Sequence, residues 1–350
     1  MKELYDFKLH FDEGYLQYVK DHVASMLVYD EAFAPVGEHL LLLAKGGKRL
    51  RPFIFNLGLG LCTNGQHDVA NKNDDIFLYN ELQYALEFFQ LFALIHDDII
   101  DESHLRHGVD TLHVRFGLST ALLVGNQCLI WAMQSLFKNE NLTRAESILF
   151  TKMAEETNIG QMIDSTLSKR PNVTLDLIRT SIELKTAKYT FVYPALLGLS
   201  CAAETAKYYQ ESLETLQPIC LLLGTAFQRL DDLADILQDE AGLGKKPCGD
   251  VTKDIPTHIS HYFDTHATQT QQEIYFVYRG QPLDAFDVTR VREILLVSGA
   301  IDHEIKEIER LLDECTTLIH VATSTIENKN SWLKMITWFR EKLKQLPNIR

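Results

Sequence analysis

The sequence is poor in the features that stabilise small secreted proteins or anchor proteins in membranes. Its six cysteines, Cys62, Cys128, Cys201, Cys220, Cys248 and Cys315, include no CxxC pair, and most lie in apolar stretches. That excludes a disulfide framework and reads as reduced core thiols in a reducing compartment. No apolar run is long enough to span a bilayer: Ala85–Ile95 and Ile219–Phe227 are short, and Glu87 and Gln90 interrupt the first. Nothing resembling a signal peptide stands at Met1–Phe11. A soluble, cytoplasmic protein is expected. Basic charge is also scarce, with 34 Lys and Arg against 48 Asp and Glu, for a net charge of −14. So acidic a chain is ill-suited to nucleic acid, and it carries no polybasic stretch for anionic lipid. Strand signals are lacking as well: no period-two run and no hairpin turn between β-rich segments stands out.

What is present is helical. Ile301, Ile305, Ile308, Leu312, Cys315, Ile319 and Ala322 recur at spacings of four and three, one face of an amphipathic helix. Thr174 stands as N-cap before a helix over Leu175–Tyr193, with Asp176 in its first turn. Polar breaks at Leu61–Asp75, Lys169–Thr174, Asp239–Thr257 and Arg279–Pro282 are followed at once by apolar helices, so none reads as an interdomain linker. At 46% hydrophobic residues, the 350-residue chain has ample core material for one all-α domain over 1–350.

One pattern recurs. DDxxD occurs in IHDDIID, at Asp97, Asp98 and Asp101, and again in FQRLDDLAD, at Asp231, Asp232 and Asp235. On a helix, positions i and i+4 share a face, so Asp97 pairs with Asp101 and Asp231 with Asp235. An acidic run is ordinarily a solvated helix face. Here both clusters interrupt apolar helices, where crowded carboxylates repel one another and lose hydration unless a cation compensates. All-oxygen donors suit a hard ion, Mg²⁺ or Mn²⁺, which prefers to share phosphate oxygens. Neither cluster has the EF-hand spacing.

A third element, GGKRLRP at residues 46–52, puts Lys48, Arg49 and Arg51 within four positions. A basic triplet alone is usually surface; beside two acidic clusters it points to an anion. His96, His104, His107 and His113 lack HExxH spacing and neighbouring cysteines, so they read as core or supporting groups rather than zinc ligands.

Taken together, these segments resemble the trans-isoprenyl diphosphate synthases, or polyprenyl synthetases, of the short-chain type that makes geranylgeranyl or farnesyl diphosphate. The matching segments are GGKRLRP, IHDDIIDESHLRHG, DTLHVRFGLSTALLVGN, KTAKYTFVYP and FQRLDDLAD, with a weaker match at GDVTKDIPT. They stand in family order between about residues 45 and 260, with looser C-terminal helices over 285–345. The resemblance implies an isoprenoid-synthase bundle of mostly antiparallel helices around a deep central cavity, in a homodimer. It implies head-to-tail condensation of an allylic diphosphate with isopentenyl diphosphate, with three Mg²⁺ ions per site that Mn²⁺ can replace. Asp97, Asp101 and Asp231 would be principal metal ligands, with Asp98, Asp232 and Asp235 assisting through bound water. Arg106 and Lys185 would hold the allylic diphosphate, helped by Lys245 or Lys246. Lys48 and Arg51 would bind isopentenyl diphosphate, and Thr186 and Gln228 would line the reacting centre.

Several positions depart from the family. Gln90 stands where many members have His, His107 replaces the second arginine of a pair, and Asn126 replaces a frequent Asp. The usual Gly-Lys near Asp254–Thr257 is missing. Gln90 and His107 are kept among the substrate-binding candidates. The alternative to an active enzyme is a non-catalytic or partner-dependent subunit, although such subunits typically lose their aspartates. For product length, Phe92 and Ala93 lie five and four residues before Asp97, with Phe88 and Phe89 a further turn away. Phe92 is either a floor beneath the growing tail or plain core. As a floor it implies a short product, C20 over C15.

Overall fold

A computed structural model describes residues 2–60, 79–140, 142–170, 172–202, 205–243, 246–322 and 329–347. Among these the chain is almost wholly helical. The strands are two residues each, Leu105–Arg106 (β1) and Val109–Asp110 (β2), antiparallel with Leu105 opposite Asp110. Among the described residues, no helix is long and apolar enough to cross a membrane. The described cysteines are free, and Cys62 lies outside the described residues.

The chain divides into two compact units, Met1–Leu149 with Pro194–Glu204, and Phe150–Tyr193 with Thr205–Arg350. The first unit contains α1 (Lys2–Leu27), α2 (Ala34–Lys45), α3 (Leu50–Leu59), α4 (Asn80–Ile100), α5 (Leu112–Phe116) and α6 (Leu118–Lys138). It also holds the start of α7 (Arg144–Leu167) and most of α9 (Tyr193–Ala202). Helix α1 buries Leu4, Phe7, Phe11, Tyr15, Val19 and Val23, the three-and-four stripe of an amphipathic helix. Helix α4 is buried all round over Leu82–Phe89, polar Gln83 and Glu87 included. Phe88 is fully buried and touches Tyr15, Tyr18, His22 and Trp131, with ring centroids 6.0, 6.0, 5.1 and 5.5 Å away. Phe88 is therefore core. Rings buried this fully contribute roughly 1.5–3 kcal/mol each. Helices α3 and α9 approach backbone to backbone: a Cβ on Gly58 would lie 2.0 Å from the Ala195 carbonyl oxygen, and one on Gly198 2.0 Å from that of Phe55.

The second unit continues α7 and adds α8 (Leu175–Ile182), α10 (Ala206–Leu237), α11 (Glu240–Leu243), α12 (Gly249–Thr252), α13 (His258–His266), α14 (Gln269–Phe276), α15 (Ala285–Val297), α16 (Ala300–Val321) and α17 (Lys329–Gln345). Thr174 caps α8 as the sequence indicates, accepting from the Leu177 N–H. The helix does not continue regularly to Tyr193. From Glu183 to Val192 it widens into a π-helix. Side chains cap the later helices: Thr257 with Ser260, Thr268 with Gln271, and Asp284 with Asp287 form reciprocal capping boxes. The amphipathic face of α16 buries Ile301, Ile308, Leu312, Cys315 and Ile319 as its spacing predicts. Glu304 is buried on the same helix.

Candidate active site

In the first unit, α4 carries the first acidic cluster at its C-terminal end. Asp98 is 3% exposed, while Asp97 and Asp101 are half-buried. The hairpin after α4 aims Arg106 back at this cluster. Arg106 donates through Nε (3.0 Å) and Nη2 (2.5 Å) to Asp98 Oδ1, and its Nη2 lies 3.5 Å from Asp97. The turn between β1 and β2 is His107–Gly108, both at positive φ (53° and 79°), the backbone of a two-residue hairpin. No strand alternation announced it. Burial drives the Asp98 carboxyl up to about 6 even though Arg106 opposes the shift.

The glycine-rich turn packs against this hairpin. A Cβ on Gly46 would lie 2.4 Å from the His107 ring. Burial, with Arg106, Lys48 and Arg49 nearby, lowers the imidazole pKa, so His107 does not act as the fixed cation an arginine would be. Lys48 is exposed and Arg51 half-buried, whereas Arg49 is 2% exposed and turned inward. Arg49, counted with Lys48 and Arg51 in the basic cluster, instead donates to Asp12, Glu87 and the Ala44 carbonyl. Gln90 lies half-buried one turn beyond Glu87 on α4. The Phe92 ring stacks edge-on against His96 at 4.6 Å and lies 5.3 Å from Phe89, which is itself buried. Ala93 is half-buried beside it.

In the second unit, the π-helix and α10 place the other candidates. Thr186 donates to Gln228 Oε1 at 2.7 Å, and Gln228 Nε2 donates to Asp232 Oδ1 at 2.7 Å. Lys185 donates to Asp164 on α7 at 2.6 Å. Asp231 is exposed, Asp232 is 7% exposed, and Asp235 is 3% exposed with its carboxylate accepting from the Asp250 N–H at 3.3 Å. Burial, then the neighbouring Asp250, raises the Asp232 carboxyl far above the usual range. Lys246 is exposed, and Lys245 lies outside the described residues.

Sequence reasoning missed the partners beneath these groups: Glu87 and Asp12 under the basic turn, Asp164 under Lys185, and Glu304, which holds Arg229 through two 2.7 Å bonds. The available signal was an acid set in an apolar helix, as Glu87 is in ALEFFQ. Among the described residues no three acidic, histidine or cysteine side chains are gathered into a ready-made metal cage. Mg²⁺ is typically held by one or two carboxylates plus substrate phosphates, so the all-oxygen donors at Asp97 and Asp101 and at Asp231 fit that ion.

The family model for polyprenyl synthetases matches residues 36–295, a span that contains the basic turn, both acidic clusters and the π-helix. The chain belongs to the polyprenyl synthetase family. Among curated members of the polyprenyl synthetases it is 28% identical to the short chain isoprenyl diphosphate synthase of Methanocaldococcus jannaschii, over 86% of this chain and 83% of that protein. It is 31% identical to the geranylgeranyl diphosphate synthase of Saccharolobus solfataricus, over 67% of each chain. It is 26% identical to the octaprenyl diphosphate synthase of Escherichia coli, over 81% and 83%. Its fold matches that of the geranylgeranyl pyrophosphate synthase from Corynebacterium glutamicum, solved with isoprenyl diphosphate and magnesium. The TM-score is 0.76 at 24% identity, covering 94% of this chain and 98% of that one. The all-α polyprenyl synthetase fold expected from the sequence is thus the observed one.

Proposed function

We propose that this polyprenyl synthetase condenses an allylic diphosphate with isopentenyl diphosphate head-to-tail, releases diphosphate, and favours a C20 product over C15. The observation that carries the reading is the state of the two acidic clusters in a chain of this family. In each, the second aspartate is buried and hydrogen-bonded, and the first is left more exposed. Asp97 and Asp101, and separately Asp231 with Asp235 behind it, are the groups that would hold Mg²⁺. Bound there, the ions would supply positive charge to the departing diphosphate.

The chain's own groups do the rest. Arg106 and Lys185, with Lys246 and Lys245, hold the allylic diphosphate. Lys48 and Arg51, with Gln90 and His107 beside them, hold isopentenyl diphosphate. The allylic C–O bond breaks and its electron pair leaves with the diphosphate, whose growing charge these cations stabilise. The isopentenyl double bond attacks the allylic cation, and a proton then passes to the released diphosphate. Thr186 and Gln228 line the reacting centre, the Thr186 hydroxyl donating to Gln228 Oε1 and the Gln228 amide held in turn by its bond to Asp232. Apolar walls exclude the water that would otherwise quench it.

The active form is proposed to be a cytoplasmic homodimer. Supporting the homodimer, α6 exposes Leu118, Leu122, Ile130 and Phe137, the last two lining a shallow groove with Leu129, Met133 and Gln134.

Replacing Asp97 or Asp231 with Ala should lower turnover on the order of 100-fold or more while leaving the fold intact by circular dichroism. Phe92→Ala should lengthen the product by mass spectrometry. An active variant with unchanged product length would remove Phe92 as the floor and return it to the core it forms with His96 and Phe89.

A further inference from the structure

Arg49 stands between the exposed Lys48 and the half-buried Arg51, yet is itself 2% exposed, with its guanidinium turned inward. Its backbone is left-handed, with φ at +57°, a conformation a residue with a Cβ adopts at a cost. That turn drives its guanidinium inward, where three elements meet it. Nε donates to Asp12 of α1 at 2.5 Å, Nη1 to Glu87 of α4 at 2.7 Å, and Nη2 to the Ala44 carbonyl in the last turn of α2. The guanidinium carbon also lies 4.7 Å from the centroid of the buried Tyr15 ring. The pairing shapes the turn itself: a Cβ on Gly47 would fall 2.3 Å from Arg49 Nη1, so the close approach of the guanidinium requires glycine there.

We infer that the Arg49–Glu87–Asp12 cluster is a positioning device that orients Lys48 and Arg51 for the diphosphate of isopentenyl diphosphate; this rests on the substrate reading above. A buried ion pair gains little stability over well-packed apolar residues, because desolvation offsets the attraction. A planar guanidinium with three acceptors from three helices does fix direction. Glu87 lies one turn from Gln90 on the rigid helix that also carries Asp97. The pair therefore clamps the basic turn to the helix bearing the first acidic cluster.

The test compares Arg49→Lys, Glu87→Gln and the paired apolar variant Arg49→Met/Glu87→Leu with the wild type and with Lys48→Ala. The readouts are KM for isopentenyl diphosphate, KM for the allylic diphosphate, kcat and the melting temperature. The apolar pair leaves no buried charge of the two unpartnered, and Asp12 keeps Lys8, so it is the variant expected to fold if the single changes do not. The inference predicts that folded variants raise KM for isopentenyl diphosphate about tenfold or more, with the allylic KM little changed. A folded Arg49→Met/Glu87→Leu protein with wild-type KM for isopentenyl diphosphate, when Lys48→Ala raises it, would overturn the positioning role alone. If Lys48→Ala also leaves that KM unchanged, the substrate reading falls, and the inference with it.

Discussion

Burial separates neighbouring aspartates that the sequence presents as equals. In DDIID and DDLAD, helical spacing shows which carboxylates share a face, but not which face is covered. Asp98 and Asp232 prove to be buried, one against Arg106 and the other against Gln228. Asp235, which helical spacing puts on one face with Asp231 and the resemblance gives an assisting role, is buried against the backbone of residues 248–250. The i, i+4 rule has no knowledge of what packs on either side, so spacing alone did not give this division; only the resemblance set Asp98, Asp232 and Asp235 apart as assisting groups. His258 shows the same limit. It is 6% exposed, its Nδ1 has no partner among the described residues, and burial with Arg229 nearby pushes it down from 6.5 to about 3. With the folded value lowered, the stability it contributes is fully present above pH 6.5 and is lost as pH falls towards 3. At pH 5 the loss amounts to about 2 kcal/mol. His258→Gln should therefore lose less stability than the wild type between pH 7 and pH 5, as read from urea midpoints. Parallel curves for the two proteins would contradict that account.

Helix existence was legible at the scale of elements, and helix geometry was not. The Thr174 cap and the apolar spacing announce a helix, but the π-helix over Glu183–Val192 has no periodic signature to read. It matters because π stretches cluster at functional sites, and this one bears Lys185 and Thr186. Two glycines let neighbouring helices approach it: a Cβ on Gly160 would meet the Lys185 backbone nitrogen at 2.4 Å, and one on Gly224 the Ala187 Cα at 2.4 Å. Backbone cannot yield as a side-chain tip does. Gly224→Ala should destabilise the protein by about 1–3 kcal/mol and lower activity further by displacing Thr186 from Gln228. Equilibrium urea unfolding and turnover measure the two effects. The β1–β2 hairpin escaped notice for a different reason: two residues per strand are too few to show alternation, and its signal is the His107–Gly108 turn alone.

For the whole molecule, the ordered motifs identified the family and the all-α fold, because each is a dense local cluster of unusual residues. Assembly and product length depend on surfaces and cavity shape, which local motifs do not encode. The apolar face of α6 makes the assembly testable. Ile130→Asp with Phe137→Asp should shift the protein from dimer to monomer in light scattering. A wild-type protein that is already monomeric would refute the proposed assembly.

The proposed reaction is put to the test by condensation with the purified chain. Isopentenyl diphosphate and Mg²⁺ would be supplied with dimethylallyl, geranyl or farnesyl diphosphate in turn, and product lengths read by mass spectrometry with and without EDTA. The expected product is a prenyl diphosphate ending mainly at C20, absent when EDTA removes the metal. A folded protein that condenses none of the three would contradict it, and would point instead to a subunit that needs a partner.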